Sequence, residues 1–162
     1  MKLEVGPGCG DYKFRPYYEP SMDVVYLDVR RPSVKVGASW VVGDANRMPF
    51  RDFAFSEVSA VHVLEHFNDP SRFIGECKRI LVDGGKIYLE TPNFLSKNAY
   101  RDPDHKHIFN FVSLWRLMKS VGFKPHYPAP NIASLFPRSL RRLIKAILLF
   151  ICDTLVIWGE KL

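Results

Sequence analysis

The chain is predicted to be an α/β protein built on an open, mostly parallel sheet, and three observations lead there. Six short runs rich in β-branched and aromatic residues, at 2–5, 24–28, 39–42, 57–63, 86–91 and 154–158, are almost continuously apolar. Strands buried on both faces of a parallel sheet have that pattern. Amphipathic helical patterns alternate with the later runs, as crossovers between parallel strands require. The first run passes straight into Gly6-Pro7-Gly8-Cys9-Gly10, a glycine-rich turn at the carboxyl end of a strand, where open α/β sheets bind ligands.

Between the first two strands, residues 11–23 contain Pro16, Pro20 and several aromatics but no amphipathic repeat, and 30–38 is too short for a long helix. The crossover helices of the first half are therefore expected to be cut down to loops or single turns. The first helix starts at Asn68-Asp69-Pro70, an acidic cap with proline at the first helical position, and carries Phe73, Ile74, Cys77, Ile80 and Leu81 at helical spacing. Asp83-Gly84-Gly85 predicts a stop and turn before the next strand. A second helix is expected over 112–121, ending at Gly122. A third, over 138–151, aligns Leu140, Leu143, Ile144, Ile147, Leu148 and Ile151 on one face, with Arg141, Arg142 and Lys145 elsewhere. That face suits a crossover helix packed on the sheet; the same pattern would let a basic helix make peripheral contact with an anionic membrane.

At 162 residues, 47% apolar and 25% charged, the chain has the size of one domain, 1–162, with a sizeable core. Its three cysteines, Cys9, Cys77 and Cys152, are far apart and odd in number, which argues against a disulfide framework and for a reducing compartment. The opening residues lack a secretory apolar stretch, and the apolar segment 143–158 is interrupted by Lys145 and Asp153. It is shorter than the roughly 20 residues that cross a bilayer, so a cytoplasmic protein is expected. The net charge of +6 could attract nucleic acid. Aromatics are not interleaved with the basic residues, however, so nucleic acid is not the expected partner.

The glycine turn does not meet the dinucleotide fingerprint, because Asp11 stands where the third glycine belongs, and no phosphate loop is present. Glu4, just before the turn, disfavours a pyrophosphate and favours a ligand with positive charge. The second strand ends in Asp28, about 20 residues on, from where a carboxylate can accept both hydroxyls of a ribose. The third leads into Gly43-Asp44-Ala45-Asn46, where a carboxylate or carboxamide could take an adenine amino group.

These motifs, in this order, resemble the class I S-adenosylmethionine-dependent methyltransferases, in particular the broad family that includes quinone-biosynthesis methyltransferases. The resemblance is carried by residues 3–10, Asp28, Gly43-Asp44-Ala45 with Met48-Pro49-Phe50, residues 62–70, residues 76–85 and Thr91-Pro92-Asn93, and more weakly by His105, Phe109, Gly122-Phe123 and residues 154–161. It implies a Rossmann-like sheet of seven strands, the last antiparallel, and S-adenosylmethionine as cofactor. It also implies that Glu4, Gly6, Gly8 and Gly10 surround the methionine part of the cofactor. Asp28, followed by Val29, would bind the ribose, Asp44 and Ala45 would lie at the adenine, and His62 would face the methionine end and the substrate. Most relatives carry helices before the first strand that cover the site, so a homodimer or hetero-complex is expected to complete it.

Methyl transfer from a sulfonium relies mainly on proximity and alignment. A base is needed only where the acceptor must lose a proton, and His62, His105 and His107 are the candidates, imidazole being the side chain suited to proton exchange at neutral pH. His62-Val63-Leu64-Glu65-His66 also satisfies the inverted zinc-protease pattern H-x-x-E-H, which works on a helix, whereas this segment is expected to straddle a strand end. Some methyltransferases carry E-x-x-E-H here and bind a divalent ion; His62 replaces the first Glu, so no metal ligands are assigned. The long polar segment 92–107, with Asn93, Tyr100, Arg101, Asp102, His105 and His107, is expected to form the substrate-side wall. The reading is thus a methyltransferase acting on a small molecule or a glycan or lipid intermediate; the alternative is a non-catalytic cofactor-binding or partner-binding subunit.

Overall fold

The computed structural model describes residues 1–8, 23–32, 39–127, 140, 147 and 151–162. Strands β1 (Lys2–Val5), β2 (Val24–Asp28), β3 (Ser39–Val42), β4 (Phe55–Val61), β5 (Leu81–Pro92), β6 (Phe123–His126) and β7 (Thr154–Lys161) form one seven-stranded sheet in the order β3-β2-β1-β4-β5-β7-β6. β1 pairs in parallel with β2 and β4, β2 with β3, and β4 with β5. β7 inserts antiparallel between β5 and β6, as expected. Its inward residues Leu155 and Ile157 are fully buried.

Two helices touch each other and pack on the sheet, α1 (Pro70–Ile80) against β5 and α3 (Phe111–Val121) against β6 and β7. Asp69 caps α1, its carboxylate accepting from the backbone N–H of Ser71 and Arg72. Phe73, Ile74, Cys77 and Ile80 then bury one face against Leu3, Val58, Ile87 and Leu89 of the sheet core. In α3, Asn110 and Ser113 form a reciprocal capping box, and Gly122 ends the helix at φ +94°, a left-handed position that glycine takes without strain.

Several boundaries differ from the sequence expectation. β4 ends at Val61, which leaves His62 and Val63 beyond the strand. β5 starts directly after α1, so the expected turn at Asp83-Gly84-Gly85 falls inside an extended segment whose pairing with β4 is irregular. β6 went unforeseen because it is four residues long and contains Pro125, which only an edge position tolerates. Of the expected third helix, the described positions Leu140, Ile147 and Ile151 are helical but 45%, 49% and 62% exposed. These three residues therefore do not form the buried face of a crossover helix; the rest of that segment, like Cys9 and Gly10, lies outside the described residues.

Arg79 holds α1 against the turn that follows β3. Its guanidinium donates to the carbonyls of Phe50 (2.8 Å) and Met48 (3.0 Å), to Asp52 (2.7 Å) and to both oxygens of Glu76 (2.9 Å each). Glu76 also accepts the Met48 N–H at 2.8 Å. The hydrogen bonds from Arg79 hold the Glu76 carboxyl below the usual carboxylate range, and the same contacts raise Arg79 further.

Candidate functional site

β1 lies where the strand order reverses, the place at which an open α/β sheet forms a crevice beyond the carboxyl ends of its strands. A groove of about 380 Å³ occupies it. Val5 and Gly6 contribute from the end of β1, Leu27, Asp28 and Val29 from β2, Gly43, Asp44, Ala45 and Asn46 from the turn after β3, and Val63, His66 and Phe67 from the segment after β4.

Gly6 has φ +66°, and a Cβ on it would run into Cγ2 of Val63; Gly8 has φ +75° with open space beside it. The Asp28 carboxylate organises the turn, with Oδ2 accepting the Gly8 N–H and Oδ1 the Arg30 N–H, both at 3.0 Å. Each oxygen keeps a lone pair for a further donor. Asp44 is engaged by the Asn46 N–H at 2.8 Å and the Asn46 side-chain amide at 3.2 Å. Oδ1 of Asn46 is then a buried acceptor without a hydrogen-bond partner, the feature an exocyclic amine would satisfy. Glu4 is 5% exposed in mid-sheet, opposite Tyr26 and Ser59, and does not line this groove.

A second cavity, of about 520 Å³, is lined by His62, Glu65, His66, Pro92, Asn98, Arg101, Asp102, Pro103 and His105. His66 lines both spaces. Six of the nine lining residues come from segment 92–107, which is not all loop but contains the short helix α2 (Asn98–Arg101).

Glu65 stands at the centre of this cavity's chemistry. It sits in a 3-10 turn, Leu64–His66, and is 1% exposed; the segment is thus no zinc-protease helix. Thr91 donates its hydroxyl to Glu65 Oε2 at 3.1 Å. Oε1 faces His62 Nδ1 at 3.3 Å and His105 Nε2 at 3.9 Å. His62 has φ +53°, a left-handed conformation costly for a residue with a Cβ and often found where a side chain must be aimed.

Other expected wall residues are placed differently. Asn93 is fully buried, and its amide donates to the Cys152 carbonyl at 2.7 Å, which ties the end of β5 to the start of β7. Tyr100 is exposed. His107 puts Nε2 on the Asn68 carbonyl at 3.1 Å and lines neither cavity. Asn46 supplies the carboxamide that the sequence offers for an adenine amino group, whereas Glu65 and His66 enter the sequence reading only as part of the H-x-x-E-H pattern. The i,i+3 spacing of His62 and Glu65 after a strand end was the available signal.

Residues 3–89 match a family model described as a methyltransferase domain. A demethylmenaquinone methyltransferase of Renibacterium salmoninarum is 33% identical over 93 residues, which cover 54% of this chain and 39% of that protein. A probable S-adenosylmethionine-dependent methyltransferase of Mycolicibacterium smegmatis is 30% identical over 105 residues, 62% of this chain and 39% of that protein. The chain thus spans about two fifths of the length of these curated relatives. Among solved structures, a SAM-dependent methyltransferase from Archaeoglobus fulgidus superposes with a TM-score of 0.69 at 20% identity, covering 99% of this chain and 85% of that one. A Haloferax volcanii methyltransferase solved in complex with the Trm112 methyltransferase activator gives 0.67 at 18% identity, covering 98% and 81%. These neighbours share the Rossmann-like sheet. S-adenosylmethionine is the cofactor that family and fold imply, and the groove fits it: a carboxylate at a strand end for the ribose, a buried unsatisfied acceptor for an amine, and glycines that leave room for close approach. On the match over residues 3–89, the chain belongs to the methyltransferase-domain family.

Proposed function

We propose that the chain transfers the methyl group of S-adenosylmethionine to a small molecule, or to a glycan or lipid intermediate, that enters the larger cavity. The observation that carries this reading is the junction of the two cavities at His66, which sets a space lined by histidines and a buried carboxylate beside the cofactor groove.

When bound, the cofactor supplies a methyl group on a positively charged sulfur; the acceptor's electron pair forms the new bond to that carbon as the carbon–sulfur bond breaks and a neutral thioether leaves. Asp28 holds the ribose, and Asp44, Ala45 and Asn46 receive the adenine end. Gly6 and Gly8 shape the methionine end, and Glu4 lies on the strand that leads into them. His62 takes the acceptor's proton. Its Nδ1 lies 3.3 Å from Glu65 Oε1, so the buried carboxylate stabilises the imidazolium that forms. His105, on the same carboxylate, is the second candidate. His107 is left with a structural role.

A cytoplasmic location and assembly with a second copy or a protein partner belong to the same reading. No described helix is long and apolar enough to cross a membrane. The Haloferax neighbour is seen with an activator protein, and the exposed Val29 at the groove's edge is an apolar surface that such a partner would cover.

Titration calorimetry with S-adenosylmethionine, followed by a screen of hydroxyl, amine and carboxyl acceptors read by S-adenosylhomocysteine release, tests the proposal. Turnover is expected to fall by about 10²-fold or more in His62→Ala, the usual contribution of a positioned base, with cofactor affinity nearly unchanged. Absence of cofactor binding would overturn the reading. Binding without turnover on every acceptor class would replace it with a cofactor-binding subunit.

A further inference from the structure

We infer that exposed apolar side chains beside the larger cavity form a surface that docks on an anionic lipid bilayer. Leu140, Ile147 and Ile151 are helical and exposed. Residues seven and four apart share one face of a helix. Leu95 and Ile108 are exposed as well, and hydrogen bonds bring them to the same end of the sheet as Ile151. The Asn93 N–H donates to the Asp153 carbonyl at 2.9 Å and the Asn93 amide to the Cys152 carbonyl at 2.7 Å, which sets Ile151 beside the end of β5. The Phe94 N–H donates to the Phe109 carbonyl at 2.9 Å, which sets Ile108 beside Leu95. Pro92, next to Asn93, lines the larger cavity. Three separate segments thus leave apolar side chains in solvent at the carboxyl end of β5, next to that cavity.

Scattered apolar residues are ordinary on a protein surface, whereas a cluster marks a contact, and charge selects the occupant. Among the exposed described neighbours the signs balance, Lys97, Arg101 and Lys106 against Asp102, Asp104 and Asp153. The sequence of 128–151 tips that balance: it carries Arg138, Arg141, Arg142 and Lys145 and no acidic residue, in a chain of net charge +6. Apolar residues interleaved with cations suit a membrane interface, where the apolar groups enter the acyl boundary and the cations meet anionic headgroups. The buried core of a protein–protein interface is instead depleted of charge. No described helix is long and apolar enough to cross a membrane; the contact lies along the bilayer surface.

Docked in this way, the larger cavity stands at the bilayer, where an acceptor carried on a lipid would enter it. That consequence rests on the methyl-transfer reading. The docking does not, and its test uses no cofactor.

The experiment floats the full chain with vesicles of phosphatidylcholine and phosphatidylglycerol in a ratio of about 2:1, and with vesicles of phosphatidylcholine alone. Binding is expected on the anionic vesicles, at least tenfold weaker on the neutral ones, and mostly released by about 0.5 M salt. Ile147→Asp combined with Ile151→Asp changes two exposed side chains and should weaken binding by about tenfold or more, with the thermal melt unchanged. Leu95→Asp, outside the helix, should weaken it by about threefold or more. Leu162→Asp, exposed at the far end of β7, should bind like the parent. Equal binding to both vesicles, no binding to either, or affinity unchanged in Leu95→Asp and the double variant would overturn the proposal, and Leu95→Asp decides if the double variant fails to fold. A dimer without vesicles that these substitutions dissociate would also overturn it and assign the surface to a second copy of the chain.

Discussion

Replacing Asp28 with alanine separates the role of this carboxylate in the cofactor groove from its role in the fold. In the structure it accepts the Gly8 and Arg30 N–H groups, each at 3.0 Å and each at an exposed position. Water can take over exposed donors, so the fold should lose only about 0.5–1 kcal/mol, the net worth of an ordinary hydrogen bond. A ribose enclosed in the groove has no such substitute. Two hydroxyls lose a charged acceptor, and hydrogen bonds to charged groups contribute about 1.5–3 kcal/mol; a loss of about 2 kcal/mol raises the dissociation constant roughly thirtyfold. The Gly8 turn also loses its tether to β2, which adds to the effect on binding. Calorimetric titration of S-adenosylmethionine into parent and variant, with a denaturant melt of each, measures both quantities. An unchanged dissociation constant would refute the assignment of the groove, and a melt lowered by several kcal/mol would show that Asp28 is mainly structural.

Gly6→Ala places a Cβ against Val63 at a backbone φ of +66°, so it should cost about 1–3 kcal/mol of stability and weaken cofactor binding, as read by thermal melts and calorimetry. Arg79→Ala breaks the contacts that join α1 to residues 48–52 and should cost about 2 kcal/mol or more in urea unfolding. Because the folded Glu76 carboxyl is held below its unfolded value, its contribution is complete above the unfolded pKa and is lost as pH falls through the lower folded one. The stability gap between parent and Glu76→Gln should therefore be widest near neutrality and close in acid, below about pH 4; a gap independent of pH would contradict the pairing. Arg101→Ala, in the wall of the larger cavity, should change acceptor turnover while leaving cofactor affinity nearly intact. Asn93→Ala should instead lower the melting temperature, since it removes the part-buried hydrogen bond that ties the end of β5 to the start of β7.

Much of the cofactor groove was legible because its signals are local. A strand that ends in Gly6-Pro7-Gly8 needs glycine for the positive φ of its turn, and Asp28 and Asp44 follow strands whose apolar runs mark their ends. The cap at Asp69-Pro70 and the stop at Gly122 likewise act within one turn of chain and occur where the residues require them. The sequence alone determined the order of six of the seven strands, the two helices that pack on the sheet, and the family.

Contacts between distant segments were decided only by the tertiary structure. His62 and Glu65 are near neighbours in sequence, but His105 joins them only because residues 92–107 fold back over the end of β4, where the Lys106 and His107 N–H groups bond to the Glu65 carbonyl. Asn93 and His107 have the polarity of wall residues, yet one is sealed between β5 and β7 and the other turns to Asn68; side-chain polarity does not encode which neighbour will satisfy it. Leu140, Ile147 and Ile151 show the same limit from the apolar side, since helical periodicity states which residues share a face and not whether anything packs against it. β6 exists because β7 offers it an edge to pair with, and a four-residue strand containing proline has too little pattern of its own to announce that partner.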